Sequence, residues 1–408
     1  MKPFLFILLT FKAFYLIAQG SDAQSHDQLE SYSFNIIDGK LIGNGSAFLK
    51  EEMSKSQFTL LGEYHGSARI SEFTSALIPI LDSLKYKTIV LEVGRFAGEK
   101  LDYLSPNTQE ELKSILDKYK FYDAYKNVYF PIPFFENIED ALFLKNCKKY
   151  KWKTLGVDQE YYDGLVMLFD MIFNNLSDDD QHKLKPIHQE VIDSLNQYYI
   201  QDYEEDISIM SQIKSSPLIS KYFSALGTTE VNSNIITSIM ETARIYESDW
   251  YSSYALRVKH MKSNLKKQLD KNNFDTQKDK LLAKMGAYHL SKGFSLWGTY
   301  ELGNTLNEMA SYHGNSALNI IFLSRYYTEK GQVKDLMDSD DPKNKRYNEL
   351  RKFGKVDEWV VIDLRSELKK YISSSPKYSF NKYVEEYMKT YDLVVIPKME
   401  IDATPITR

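Results

Sequence analysis

The stretch Phe58-Thr-Leu-Leu-Gly-Glu-Tyr-His65 sets the tightest limit on what this chain can become. Its apolar run stops abruptly at a glycine, an acid and a histidine, and Gly66 and Ser67 follow. A short apolar run bounded by turn residues suits a strand covered on both faces, and open parallel sheets place their chemistry at the carboxyl ends of such strands. If the strand persists to His65, its two-residue alternation points Glu63 and His65 to the same side. The plainer alternative is a strand end whose Glu and His are merely solvated.

Recurrence argues against that alternative. Gly286-Ala-Tyr-His289 repeats the Gly-x-Tyr-His pattern after Leu281 and Leu282 and before Ser291, Lys292 and Gly293. Between the copies, Lys87-Thr-Ile-Val-Leu-Glu-Val-Gly94 carries a lone acid, Glu92, near the end of an apolar run, and Lys153-Thr-Leu-Gly-Val-Asp158 ends the same way. Gathered at one edge of a sheet, these segments make a polar pocket on a rigid scaffold. The predicted fold is α/β: a mainly parallel central sheet flanked by helices, with a large all-helical insertion. A helix over Ile70 to Leu84, kinked or split at Pro79, joins the strand ending at His65 to the one ending at Glu92 as a βαβ unit. Further strands are read at Ala317 to Leu323, Trp359 to Asp363 and Asp392 to Pro397.

From about 160 to 275 the strand signals stop, and apolar residues recur at three- and four-residue spacing with Pro186 and Pro217 as breaks. Such an insertion, placed between two strands of the active edge, is positioned to act as a lid or substrate gate. At the other end of the chain, residues 1-23 combine Lys2, two apolar runs interrupted by Lys12, and small residues before a polar stretch. That is the pattern of a secretory signal peptide, which predicts an exported, periplasmic or extracellular protein. One α/β domain over 24-408 then remains, with no stable membrane span after leader removal. A formal net charge of -5 without a basic block argues against a nucleic-acid partner. Cys147, the only cysteine, excludes an intramolecular disulfide and a zinc site built from several cysteines, and reads as a packed thiol.

Two histidines and two or three carboxylates at strand ends permit two chemistries. In one, a divalent metal (Mn, Fe or Zn) held by His65, His289 and Glu63 activates a water. In the other, a His or Glu acts as general base and a neighbouring carboxylate orients the imidazole. Spacing does not choose between them. A nucleophilic serine has no Gly-x-Ser-x-Gly elbow to sit on.

Gly62-Glu-Tyr-His65, Glu92 and Gly286-Ala-Tyr-His289 resemble the paired Gly-x-x-His motifs of the superfamily that joins erythromycin esterases, the Tiki metalloproteases and the ChaN-type haem-binding lipoproteins. Arg257-Val-Lys-His-Met261 with Asn264 is similar to an Arg-x-x-x-Met-x-x-Asn stretch of the erythromycin esterase-like branch, and Gly156-Val-Asp158 resembles its glycine-aspartate strand end. These matches span Leu60 to Pro405. Only Tyr64 separates Glu63 from His65, which is the Tiki and ChaN arrangement rather than the two-residue spacing of erythromycin esterases. The resemblance implies a hydrolase of an ester, lactone or amide bond in a small-molecule or peptide substrate, with His65, Glu63, Glu92 and His289 as catalytic residues. It also implies Arg69, Arg257 and Asp158 as substrate-binding residues, a guanidinium offering a planar fork to a carboxylate or oxyanion. The bland readings are a salt-bridge role for Arg257, local pairing for Arg69 and a helix cap for Asp158. From the ChaN branch comes the alternative of a protein that binds haem or a metal complex without turnover. Tyr64 and Tyr288, in equivalent places before the two histidines, read as packing beneath the pocket.

Overall fold

Every residue from Phe58 to Glu63 is buried, as a strand covered on both faces requires. The computed structural model describes residues 29–406 apart from 124, 228, 296, 367, 370–379 and 402, so the expected leader over 1-23 lies outside the described residues. In chain order the strands of the main sheet are β1 (Glu30–Ile37), β2 (Lys40–Ile42), β3 (Phe58–Glu63), β4 (Tyr86–Gly94), β5 (Lys153–Asp158), β6 (Lys280–Gly286), β7 (Ala317–Phe322), β8 (Trp359–Asp363) and β9 (Leu393–Ile396). They form one nine-stranded sheet in the order β2-β1-β8-β9-β7-β3-β6-β4-β5. From β9 to β5 the pairing is parallel throughout, and β2, β1 and β8 complete the other edge with antiparallel pairs. The α/β class and the mainly parallel sheet are those expected from the sequence.

The helices that matter for the site are α1 (Asn44–Lys55), α2 (Ala68–Ser83), α3 (Arg95–Asp102), α4 (Thr108–Tyr119), α5 (Ile138–Lys149), α6 (Leu165–Asn174), α7 (Asp178–Glu205), α8 (Ile209–Ser215), α9 (Pro217–Ala225), α10 (Glu230–Tyr246), α11 (Trp250–Lys271) and α12 (Leu302–Tyr312). Alternation along the strands feeds two apolar layers. Ile89, Leu91, Leu282 and Ile320 pack with Phe73, Leu77 and Leu81 of α2 and Phe143 and Leu144 of α5 on one face. Val90, Leu155, Val157 and Ala283 pack with Met261 and Leu265 of α11 and Leu302 and Leu306 of α12 on the other. Cys147 is buried in the α2/α5 layer, and burial pushes its thiol up to about 12. Pro79 neither splits nor ends α2, which runs unbroken through it.

Three expectations change in position. β3 ends at Glu63, so His65 sits in the turn after the strand rather than on it. β3 and β4 are joined by α2 as expected but are not neighbours, because β6 inserts between them. The helical segment also divides in two. Helices α6, α7, α8, α9 and α10 bury their apolar faces in a core of their own that includes Leu168, Leu195, Ile213 and Ile239 and reaches the sheet layer through Phe96 of α3. Helix α11 instead lies on the sheet, as the crossover that returns the chain to β6.

Candidate active site

The insertion of β6 decides the geometry. Its end lies between the ends of β3 and β4, so the second Gly-x-Tyr-His motif arrives between Glu63 and Glu92. Beyond Gly286 the chain turns as a single 3-10 segment, Ala287–Leu290, which carries His289 back over the sheet edge. Gly286 is needed there for close approach: its backbone N–H donates to Glu92 Oε2 at 2.6 Å, and a β-carbon would lie 3.1 Å from both Glu92 Oε2 and His65 Nε2.

His65 Nδ1 stands 3.4 Å from Glu63 Oε1 and His65 Nε2 stands 3.7 Å from Glu92 Oε2. The ring stacks on Phe134 at 3.9 Å between centroids and is about a third exposed, whereas Glu63 and Glu92 are buried. Lys284, buried on β6, donates to Glu63 Oε2 at 2.5 Å. Burial would push the Glu63 carboxyl up, but the Lys284 ammonium and the His65 ring outweigh it and hold it below its ordinary value.

Glu92 is shared by two cations. Arg257 Nη2 donates to its Oε1 at 2.9 Å, and His289 Nε2 lies 3.3 Å from the same oxygen. His289 Nδ1 meets Glu301 Oε2 at 3.0 Å, and the other oxygen of this fully buried carboxylate accepts from Tyr254 Oη at 2.8 Å and Ser295 Oγ at 3.1 Å. Burial alone would push the imidazole down. Glu92 and Glu301 prevail and raise it to about 10, so His289 is an imidazolium at neutral pH. Against the same burial, His289, Arg257 and His65 hold the Glu92 carboxyl well below the ordinary range.

Arg257 comes from α11, and its placement explains the spacing around it. Nε donates to Asp158 Oδ1 at 3.0 Å, Met261 one turn on packs under the sheet, and Asn264 donates to the carbonyls of Val157 and Asp158 at 3.1 and 3.2 Å. Asp158 therefore holds Arg257 rather than capping a helix. Arg69 stands apart from this cluster: it pairs with Glu72 at 2.7 Å and donates to the Met399 carbonyl at 3.0 Å.

Glu63, His65, Glu92, Arg257 and His289 line a cavity of about 630 Å³ whose walls are aromatic, with Tyr254, Tyr288 and Trp297 on one side and Tyr347 and Tyr387 on another. Tyr288 is 39% exposed at the rim, whereas the Tyr64 hydroxyl is tied to Glu400 deeper in, so the two tyrosines are not equivalent. The second wall comes from the segments between β7 and β8 and between β8 and β9, and α6 to α10 contribute no lining residue among those described. Those helices spend most of their apolar faces on one another, and Tyr246 of α10 lines a smaller neighbouring cavity with Glu92, Phe134, Asp158 and Arg257.

The chain matches no family model, and no curated protein matches it in sequence. It matches solved structures: a mutant of erythromycin esterase EreC in its open conformation (13% identity, 93% of this chain and 100% of that one, TM-score 0.57), a succinoglycan biosynthesis protein (13% identity, 93% and 96%, TM-score 0.56) and a Bacillus cereus protein (16% identity, 91% and 96%, TM-score 0.52). The chain shares their fold. A haem-binding ChaN of Campylobacter jejuni also matches, at a TM-score of 0.26, too low to carry an argument.

Within that fold, the donors do not form a metal cage. Lys284 occupies Glu63, Arg257 and His289 occupy Glu92, and both ring nitrogens of His289 face carboxylates. Among the described residues no group of three or more His, Cys, Asp or Glu side chains is arranged to hold a metal ion. The expected set of His65, His289 and Glu63 therefore does not fit one. Two members of the site escaped the sequence reading, Lys284 and Glu301. Lys284 left a signal, a single charge inside the apolar run Leu281-Leu-Ala-Lys-Met285; Glu301 left none beyond an acid before a helix.

Proposed function

We propose that the chain is an exported hydrolase that cleaves an ester, lactone or amide bond with a water activated at His65. The observation that carries this reading is the half-open imidazole of His65 facing a cavity while flanked by two buried, ionised carboxylates. Glu63, fixed by Lys284, orients the ring through Nδ1, leaving Nε2 to take the proton from water. Arg257 spends Nε and Nη2 on Asp158 and Glu92, so Nη1 is the donor left to meet an oxyanion. The His289 imidazolium adds positive charge on the same wall without serving as a base. The segment 1-23 supports the exported part of the reading.

A screen of aryl esters, lactones and short peptides against wild-type protein and His65→Ala tests it. Turnover by the wild type and a loss of at least about a hundredfold in the variant is the expected result. Equal turnover in both proteins removes His65 from the chemistry. A Soret band on haem addition, with no turnover of any substrate, places the binding-protein reading ahead.

A further inference from the structure

A second cleft, of about 270 Å³, opens where α3, α10 and α11 meet. On α11 it uses positions at three- and four-residue spacing that include Lys259 and Lys267, and it shares no lining residue with the catalytic cavity. Arg95 enters from α3 and Arg244 with Asn234 from α10. Four cations thus face one carboxylate, Glu241, on a chain whose formal net charge is -5.

That carboxylate is already taken, since Arg244 reaches it through Nη2 at 2.6 Å and Nε at 3.2 Å. Lys259 and Lys267 pair with no carboxylate among the described residues. Arg95 is the decisive group. Its Nε is buried with no hydrogen-bond acceptor, and its ion-pair partner Glu99, 3.6 Å away, is shared with Lys271, which bonds it at 2.7 Å. A buried donor without a hydrogen-bond acceptor is costly, and the cleft's remaining cations leave it with a surplus of positive charge that an anion would balance.

We propose that this cleft binds a phosphate group, free or as a monoester. A guanidinium beside two ammonium groups matches a tetrahedral oxyanion, the planar fork taking two oxygens and the point charges neutralising the rest. The occupant also ties together parts of different layers, since α3 follows β4 of the sheet whereas α10 belongs to the helical insertion. This site is independent of the hydrolase reading and uses none of its residues.

Thermal melts at constant ionic strength test it, with inorganic phosphate and glycerol 3-phosphate each compared with chloride. A saturable rise of about 2 °C at tenfold excess over Kd is expected from mass action on a chain of this size. Phosphate alone raising the melting temperature assigns the site to the free anion, and both raising it assigns it to a monoester. The exposed pair Lys259→Gln/Lys267→Gln is expected to weaken binding at least about tenfold while leaving the unliganded melting temperature unchanged, and Arg95→Lys to weaken it by removing the fork. A shift no larger than chloride's, or one that both variants keep in full, overturns the proposal.

Discussion

Replacing Glu301 by Gln separates a charged site from a merely polar one. The substitution keeps the shape of a fully buried side chain but removes the negative charge from His289 Nδ1, 3.0 Å away. One amide oxygen must then serve either the imidazole or the Tyr254 and Ser295 hydroxyls, which now approach opposite ends of the group at 2.8 to 3.1 Å. Losing a charge-assisted hydrogen bond costs about 1.5–3 kcal/mol, or about one to two pH units on the imidazole. His289 is raised to about 10 in the folded protein against an ordinary value of 6.5. Its contribution to stability is therefore complete below about 6.5 and is lost as pH rises through about 10. In Glu301→Gln the same loss is expected about one to two units earlier, between about pH 8 and 9. Melting temperature measured from pH 6 to 10.5 reads this directly. Tyr254→Phe is the control: it removes one hydrogen bond to the same carboxylate, costs about 1 kcal/mol and leaves the pH profile where it was. A Glu301→Gln profile superimposable on wild type would falsify the imidazolium assignment and with it the division of labour between the two histidines.

His65→Ala is expected to abolish at least about 99% of turnover with the melting temperature held within a few degrees, because the ring is partly exposed and its contacts to the carboxylates are long. Lys284→Met is expected to cost about 3–5 kcal/mol at neutral pH, since it strands the buried Glu63 carboxylate, and the deficit should shrink as pH falls and Glu63 takes a proton; a loss independent of pH would point to packing instead. Treatment with a chelator should leave turnover unchanged, because the carboxylates that a metal would need are bonded to Lys284 and Arg257. Intact-mass measurement of protein recovered after export should find the chain beginning near residue 24.

How far the fold was legible follows from where its information is stored. β3, β4, β5 and β6 are short apolar runs with turn residues after them, and local pattern suffices to find them. Their order in the sheet is not local. Nothing in Phe58 to Gly94 signals that a strand almost two hundred residues later will wedge between the two strands it contains, since that pairing is settled by which apolar edges meet in the folded sheet. The helical segment shows the same limit from the other side. Periodicity marked the segment as helical but not its divisions: Pro186, expected as a break, lies inside α7, and Ser233 to Leu269 is split between α10 and α11, of which only packing partners distinguish the one that covers β5 from the one that joins a separate core.

For the site, the residues that terminate strands were readable because a charge at the end of an apolar run has no packing explanation. The residues that hold them were harder. Arg257 was traceable only through the resemblance of Arg257, Met261 and Asn264 to a family stretch, and in the structure all three engage β5 or its end. Lys284 was in plain view: a lysine with apolar neighbours on both sides of a buried strand must find an anion, and the nearest candidate by strand pairing is on β3. Glu301 differs in kind. Its partner lies twelve residues back, across the loop that carries Trp297, so the pairing depends on that loop's path and not on any period. The physical consequence is that the two histidines, alike in their motifs, acquire different surroundings from groups outside those motifs. Glu63 with Lys284 leaves His65 facing the cavity, while Glu92 with Glu301 fixes His289 as a cation. A sequence search for Gly-x-Tyr-His alone finds both and distinguishes neither.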